Sequence, residues 1–208
     1  DDREKLLATI AKATASHLPI SFVLYWGKGP RDLAGDHERA CLAFLQGMQE
    51  RVRKVYAPGA DITLIFTDSH ASLNGYQPLA YTRYFRSVQA MLPEARFDTC
   101  HLASLVRDAR PLVAAEGLGN EEPSTEILGS LIASANKWYR GGGQPSDGAV
   151  AYYKANMVER RAVELAFPDS IFVTFNGSDM RALFPLRMPI FYMYSLKKGF
   201  SVKPWFLD

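Results

Sequence analysis

Short runs of β-forming residues alternate along this chain with segments in which apolar residues recur every three or four positions. The runs at 20–25, 62–66 and 171–175 are nearly continuous in Ile, Leu, Val and Phe, as in strands buried on both faces. The segments between them have the periodicity of amphipathic helices. This alternation is typical of right-handed β–α–β units. It predicts a single α/β domain over 1–208, with a Rossmann-like, mostly parallel sheet flanked by helices.

The remaining elements follow from the same patterns and from Pro and Gly punctuation. The polar stretch 108–123 is expected to be a mobile loop or lid. The last two strands, 190–194 and 200–202, are expected to pair antiparallel across Lys198-Gly199. A third, weaker strand is predicted over 95–101, and helices are predicted over about 3–16, 36–55, 78–92, 124–140 and 147–166.

Polar residues follow the strand at 62–66 immediately: Asp68, Ser69, His70 and then Asn74. In open α/β sheets, ligands bind at the carboxyl ends of the strands. A carboxylate beside an imidazole can orient a general base, and a free imidazole titrates near neutrality. Two other interpretations stay open, which are a metal-binding pair and plain loop and capping residues.

A glycine-rich loop follows the strand at 20–25, with the sequence Gly27-Lys28-Gly29-Pro30-Arg31. Backbone amides and cations between a strand and a helix are suited to a phosphate or a carboxylate. The loop matches neither GxxxxGK[ST] nor GxGxxG, so no nucleotide fingerprint is met. A plain surface turn is the alternative.

Composition narrows the class of protein. The 208 residues are 48% hydrophobic and 22% charged, with a formal net charge of +2, a balance that demands neither a nucleic-acid nor a membrane partner. The two cysteines, Cys41 and Cys100, lack a CxxC spacing, which favours unpaired thiols in a cytoplasmic protein. No motif calls for a cofactor or a metal. The expected partner is a small molecule, and the sequence does not indicate an oligomeric state.

Several pieces of the chain together resemble the pyoverdine/dityrosine biosynthesis proteins, a family that includes the isocyanide (isonitrile) synthases. The pieces occur in the family's order and cover most of the chain. They are the Lys-bearing loop Trp26-Gly-Lys28-Gly-Pro30, the acidic Glu38, the Tyr56-Ala-Pro-Gly-Ala stretch with its strand ending in Asp68, Met157-Val-Glu-Arg160, Phe167-Pro168 before a strand, and Pro204-Trp205.

The resemblance implies an α/β enzyme of specialised metabolism that converts an amino acid's amine to an isonitrile. The carbon donor would be a pentose phosphate such as ribulose 5-phosphate, without a metal or other cofactor. On this hypothesis Lys28 and Arg31 hold an anionic group, Asp68 binds the substrate amine and His70 is the acid/base. The substrate pocket would be completed by Glu38, Asn74, Tyr76 and Arg160.

The chain also departs from the family. Where the family strand reads Ile-Arg-Leu-Ser-Ile-His, residues 171–176 read Ile-Phe-Val-Thr-Phe-Asn, and Phe206 stands where the family has a His. After the strand Asp the family has Gly, and this chain has Ser69. A lost cation and two lost imidazoles would weaken binding of a sugar phosphate. The alternatives are therefore a different reaction on an amino acid, a non-catalytic amino-acid-binding protein, or a metal-dependent hydrolase centred on Asp68 and His70.

Overall fold

A five-stranded, fully parallel sheet in the order β3-β2-β1-β4-β5 forms the centre of the molecule. The structure is a computed structural model that describes residues 2–27, 31–92, 97–176, 178–193, 195–197 and 200–202. The strands of this sheet are β1 (Ile20–Trp26), β2 (Ala60–Phe66), β3 (Phe97–His101), β4 (Ile171–Thr174) and β5 (Ile190–Tyr192). The helices are α1 (Asp2–Ala15), α2 (Asp36–Val55), α3 (Asp68–Leu73), α4 (Pro78–Gln89), α5 (Leu102–Ala115), α6 (Thr125–Trp138) and α7 (Pro145–Ala166).

Both faces of the sheet are covered, which explains why its strands lack a polar alternation. On one face Phe22 and Leu24 of β1 pack against α1, α2 and α4. On the other face Val23 packs with residues of α5 and α7. Helix α6 lies outside this layer, packed on α7. The predicted α/β class with a mostly parallel sheet is confirmed.

The predicted loop or lid at 108–123 is wrong in its first half, because α5 continues to Ala115. Pro111 lies inside this helix, where its ring removes one backbone hydrogen bond. The helix nevertheless forms because Leu102, Ala109 and Val113 recur at helical spacing and are buried. Tertiary packing of this apolar face outweighs the local penalty of the proline.

The predicted antiparallel pairing of 190–194 with 200–202 is also wrong. Strand β5 joins the main sheet beside β4 and runs parallel to it, with Val173 opposite Phe191. The antiparallel partner of β7 (Phe200–Val202) is a separate short strand, β6 (Ser195–Lys197). A local pattern shows that a segment is extended, but the neighbouring strand decides its direction.

Helix α7 is much longer than the strand that follows it. Its 22 residues span about 33 Å at 1.5 Å per residue, whereas the four residues of β4 span about 13 Å. Because α7 returns the chain to the start of a parallel strand, its first half extends past the carboxyl ends of the strands. Val163, near its end, packs under the sheet, and the turns before it face the sheet's carboxyl edge.

Within the described residues, no helix has both the length and the apolar character needed to span a bilayer.

Candidate functional site

Helix α3 places three polar side chains at the carboxyl edge of the sheet. It starts at Asp68, two residues after β2 ends at Phe66, where the sequence favours a loop. The intervening Thr67 is buried, and its backbone amide donates to the carbonyl of Trp26 at 3.1 Å, so the junction is tied to β1. Asp68, Ser69 and His70 therefore leave a fixed backbone rather than a free loop.

His70 is paired with a buried carboxylate that the sequence does not reveal, Glu159 of α7. The two side chains meet at 2.5 Å between His70 Nε2 and Glu159 Oε2, and they are 12% and 3% exposed. The hydroxyl of Ser69 donates to the other oxygen, Oε1, at 2.6 Å. Because a carboxylate only accepts, His70 Nε2 carries the hydrogen of this bond. A buried carboxylate that fixes an imidazole is an arrangement suited to acid–base chemistry.

Glu159 belongs to a polar stripe on the face of α7 that is directed at the sheet. Tyr152, Asn156, Glu159 and Val163 are spaced i, i+4, i+7 and i+11, so they lie on one side of the helix. Val163 contacts the apolar core. The other three residues of the stripe, Tyr152, Asn156 and Glu159, are polar, and they lie where α7 passes beyond the ends of the strands. The stripe changes from apolar to polar where α7 meets His70 of α3.

Two tyrosine rings flank the His70 imidazole. The Tyr152 ring lies 4.9 Å from it between centroids in a tilted contact, and the Tyr25 ring of β1 lies 5.8 Å away, edge-on. Burial, and then the negative charge of Glu159, raise the pKa of both phenols above the ordinary range. Both hydroxyls are therefore neutral, and they can donate or accept a hydrogen bond but do not act as bases.

Two buried polar atoms beside this pair lack partners among the described residues: the Tyr25 hydroxyl and Asn156 Oδ1. Asn156 is 1% exposed. A buried polar atom without a partner costs roughly 1–3 kcal/mol. In native proteins such atoms usually pair with an ordered water or with a ligand.

Asp68 faces away from His70 and makes a different set of contacts. Its Oδ1 accepts from the amides of Ser69 at 3.1 Å and Ala103 at 3.0 Å, and its Oδ2 accepts from His101 Nδ1 at 3.1 Å. These bonds connect α3 to the end of β3 and the start of α5. Asp68 and His70 therefore serve separate partners, and the structure does not bring them together as a pair.

Glu38 lies on the opposite face of the sheet in a network with aromatic residues. Its Oε2 accepts from the amide of Gly35 at 2.8 Å, and its Oε1 accepts from the Tyr84 hydroxyl at 3.1 Å. Trp26 Nε1 in turn donates to that hydroxyl at 3.3 Å. Burial by itself raises the pKa of Glu38, but the amides of Gly35 and Glu38, the Tyr84 hydroxyl and the charge of Arg31 outweigh it, and the net shift is downward.

The other predicted site residues are distributed around α3 and α7. Arg31 is exposed and its charge reaches Glu38. Asn74 is the C-cap residue of α3, and its carbonyl accepts from the Arg140 amide at 2.9 Å. Tyr76 follows, half-buried, its amide donating to the carbonyl of Ala71. Arg160 donates from Nη1 to the carbonyl of Ala182 at 2.7 Å. Lys28 lies outside the described residues.

The sequence interpretation missed Glu159, Tyr152, Asn156, Tyr25 and His101. The first three had one usable signal, which is that polar groups recur on a stripe of α7 that is otherwise apolar. Tyr25 had no such signal, since a tyrosine near the end of a buried strand is ordinary. Cys100, next to His101, is a free thiol whose pKa burial and the nearby Asp68 raise to about 11, so it is a poor nucleophile.

The fold and the edge of the sheet define an α/β protein with a cluster of polar side chains at the carboxyl ends of parallel strands. The crystal structure of the PvcA protein from Pseudomonas aeruginosa matches it with a TM-score of 0.62 and 18% sequence identity, covering 91% of this chain and 78% of PvcA. At that identity the similarity shows a shared fold. No family model matches the sequence, and no curated protein matches it at a significant level.

Proposed function

We propose that this protein is a biosynthetic enzyme that acts on the amine of an amino acid or a related compound. The finer form of the proposal is an isonitrile-synthase-like reaction that takes its carbon from a pentose phosphate. The observation that carries the proposal is the buried Glu159–His70 pair beside two unpartnered polar atoms at the carboxyl edge of the sheet. The motif order in the sequence and the fold shared with PvcA support the same direction.

Joining an amine to the carbonyl carbon of a sugar begins with a condensation. The amine nitrogen bonds to the carbonyl carbon, the nitrogen gives up two protons, and the carbonyl oxygen takes up two and leaves as water. The product is an imine, and no electrons are gained or lost. Each proton transfer is faster when a positioned group supplies or accepts the proton. His70 is suited to this role because an imidazole can both take up and release a proton, and Glu159 fixes the orientation of its ring.

The unpartnered atoms fit the polar groups of such a substrate. Asn156 Oδ1 can only accept, which matches any N–H or O–H donor of the substrate. The Tyr25 hydroxyl can donate to a carbonyl or hydroxyl oxygen or accept from it. A ligand that pairs both atoms forms two buried hydrogen bonds with the protein. These two atoms favour a compact polar molecule over an apolar one.

The experiment incubates the protein with each amino acid, with and without ribulose 5-phosphate, and identifies products by mass spectrometry. With the preferred substrate we expect His70→Gln and Glu159→Gln to lower kcat by about 100-fold or more, the usual size of an acid–base contribution. His17→Asn is the matched control. His17 lies before β1, at the opposite edge of the sheet, and its positive φ of 53° is tolerated by Asn.

Wild-type rates in both His70→Gln and Glu159→Gln, with folding verified by circular dichroism, would exclude the proposed role of the pair. The alternatives from the sequence give other outcomes. An amino acid that raises Tm without turnover would support the non-catalytic binder. A stoichiometric bound metal whose removal abolishes activity would support the hydrolase. Turnover of an amino acid to a product without an isonitrile would leave the coarser proposal standing and reject the finer one.

A further inference from the structure

A second carboxylate–imidazole pair lies on the other side of α3, outside the buried Glu159–His70 pair. Asp68 Oδ2 accepts from His101 Nδ1 at 3.1 Å. The two pairs share one short helix, since Asp68 and His70 are two residues apart and project to different sides of it. His101 ends β3, in register with Phe66 at the end of β2, so both pairs belong to the same edge of the sheet.

The contacts of Asp68 determine which nitrogen of His101 carries the hydrogen. The amides of Ser69 and Ala103 hold Asp68 Oδ1, which fixes the carboxylate. Because a carboxylate accepts, His101 Nδ1 must donate, and the lone pair of the neutral ring is then on Nε2. The imidazole also contacts the rings of Phe66 and Phe85 edge-on, at centroid distances of 5.6 and 6.2 Å. The ring is therefore oriented as well as tautomerically fixed.

The two imidazoles differ in how they meet solvent. His70 is 12% exposed and uses Nε2 for its carboxylate. His101 is 50% exposed, uses Nδ1 for its carboxylate, and its Nε2 has no hydrogen-bond partner among the described residues. A carboxylate that orients an imidazole and leaves the opposite nitrogen open is the arrangement of a general base.

We propose that Asp68 and His101 form a second acid–base pair, in which His101 Nε2 accepts the proton of the incoming substrate ammonium. This inference rests on the proposed function, because an amino acid arrives as an ammonium ion and must lose a proton before its nitrogen can attack a carbonyl. The proton moves from the ammonium to Nε2, which yields a neutral amine and an imidazolium. Asp68 keeps its hydrogen bond to Nδ1 of that imidazolium and so holds the ring in place. Asp68 is thus a positioning residue, in place of the direct amine contact expected from the sequence.

The pair can be tested without any substrate by nitrogen-15 NMR of the imidazoles, of which the chain has only four. We expect the neutral His101 ring to be held with its hydrogen on Nδ1, and Asp68→Asn to reduce that population. The same tautomer mixture in both proteins, or a wild-type ring with its hydrogen on Nε2, would overturn the inference.

The role in turnover is tested by His101→Ala and by rescue with free imidazole. We expect a loss in kcat of at least tenfold, and partial recovery with millimolar imidazole because the site is half-exposed. The buried His70→Ala should show no such recovery. A wild-type kcat in His101→Ala, or a loss that imidazole does not restore, would reject the base role. If the wild-type protein makes no product from any amine, the proposed function fails, and the NMR result alone then decides the pair.

Discussion

At the residue scale, the environment of a polar group decides whether its hydroxyl has a hydrogen-bond partner within the fold. Tyr25 and Tyr84 illustrate this contrast. The Tyr84 hydroxyl receives a hydrogen bond from Trp26 and donates one to Glu38. The Tyr25 hydroxyl is buried without a partner among the described residues.

Removing these two hydroxyls should have opposite effects on stability. Tyr25→Phe removes an unpaired buried group, so we expect the free energy of unfolding to stay equal or rise by about 1 kcal/mol, while kcat/KM on the substrate falls. Tyr84→Phe removes two hydrogen bonds and should lower the free energy of unfolding by about 1–2 kcal/mol. Urea unfolding of both variants gives the comparison. A clear destabilisation by Tyr25→Phe would show that its hydroxyl is paired in the folded protein.

Glu38 makes stability depend on pH in a definite direction. Its pKa is lower in the folded protein than in the unfolded chain, so its contribution is present above the ordinary glutamate pKa and is lost as the pH falls through the folded value. We expect Glu38→Gln to lower the free energy of unfolding by roughly 1 kcal/mol at pH 7, and this difference to shrink below about pH 4. Glu50→Gln, on the exposed side of the same helix, is the control. A difference that is constant from pH 7 to pH 3 would contradict this.

At the scale of elements, the short helix α3 depends on how its end is joined to the rest of the chain. Gly75 follows it with a φ of 83°, and a Cβ there would lie 2.6 Å from the carbonyl carbon of Arg140. The adjacent carbonyl of Asn74 accepts from the Arg140 amide. The loop after α6 therefore packs directly on the turn that fixes the end of the helix carrying His70.

Gly75→Ala should destabilise the protein more than a glycine substitution at a similar φ in open space. Gly117 has a φ of 68°, and no atom lies within 4 Å of the position that a Cβ would occupy there. Gly117→Ala therefore measures the backbone strain alone, about 1 kcal/mol. We expect Gly75→Ala to cost at least about 2 kcal/mol, since backbone atoms must also move, and to reduce activity. Thermal unfolding of the two variants measures the difference. Equal costs would mean that the contact with Arg140 is not tight.

At the scale of the whole molecule, the sheet supports the site because both of its faces are buried. Leu24 of the central strand β1 is 1% exposed, whereas Val55 at the end of α2 is 87% exposed. Leu24→Ala should lower the free energy of unfolding by about 2–5 kcal/mol, and Val55→Ala by less than about 0.5 kcal/mol. Denaturant titration tests this, and similar small losses in both would mean that the central core is loosely packed. The free energy of unfolding of a domain is about 5–15 kcal/mol, so Leu24→Ala alone would remove a large share of it.

The sequence by itself determined the features that depend on neighbouring residues. The apolar run of β2, the periodicity of α2 and the position of Asp68 and His70 at a strand end follow from local pattern. The sequence therefore places Asp68 and His70 at the carboxyl edge of the sheet, where the structure has them. The fold class follows as well, because alternating strands and helices leave few ways to bury both faces of a sheet.

Only the tertiary structure decided which groups meet at that edge. Glu159 and His70 are 89 residues apart in the chain, and a glutamate within a helix is usually a solvent-exposed residue until its position over the sheet is known. The hydrogen bonds of Asp68 to His101 and to the Ala103 amide likewise join residues that are distant in sequence. The parallel direction of β5 follows from its pairing with β4. Pro111 lies in a helix because distant contacts outweigh its local cost. Local pattern specifies elements, and packing between distant segments specifies the partners that give a side chain its chemistry.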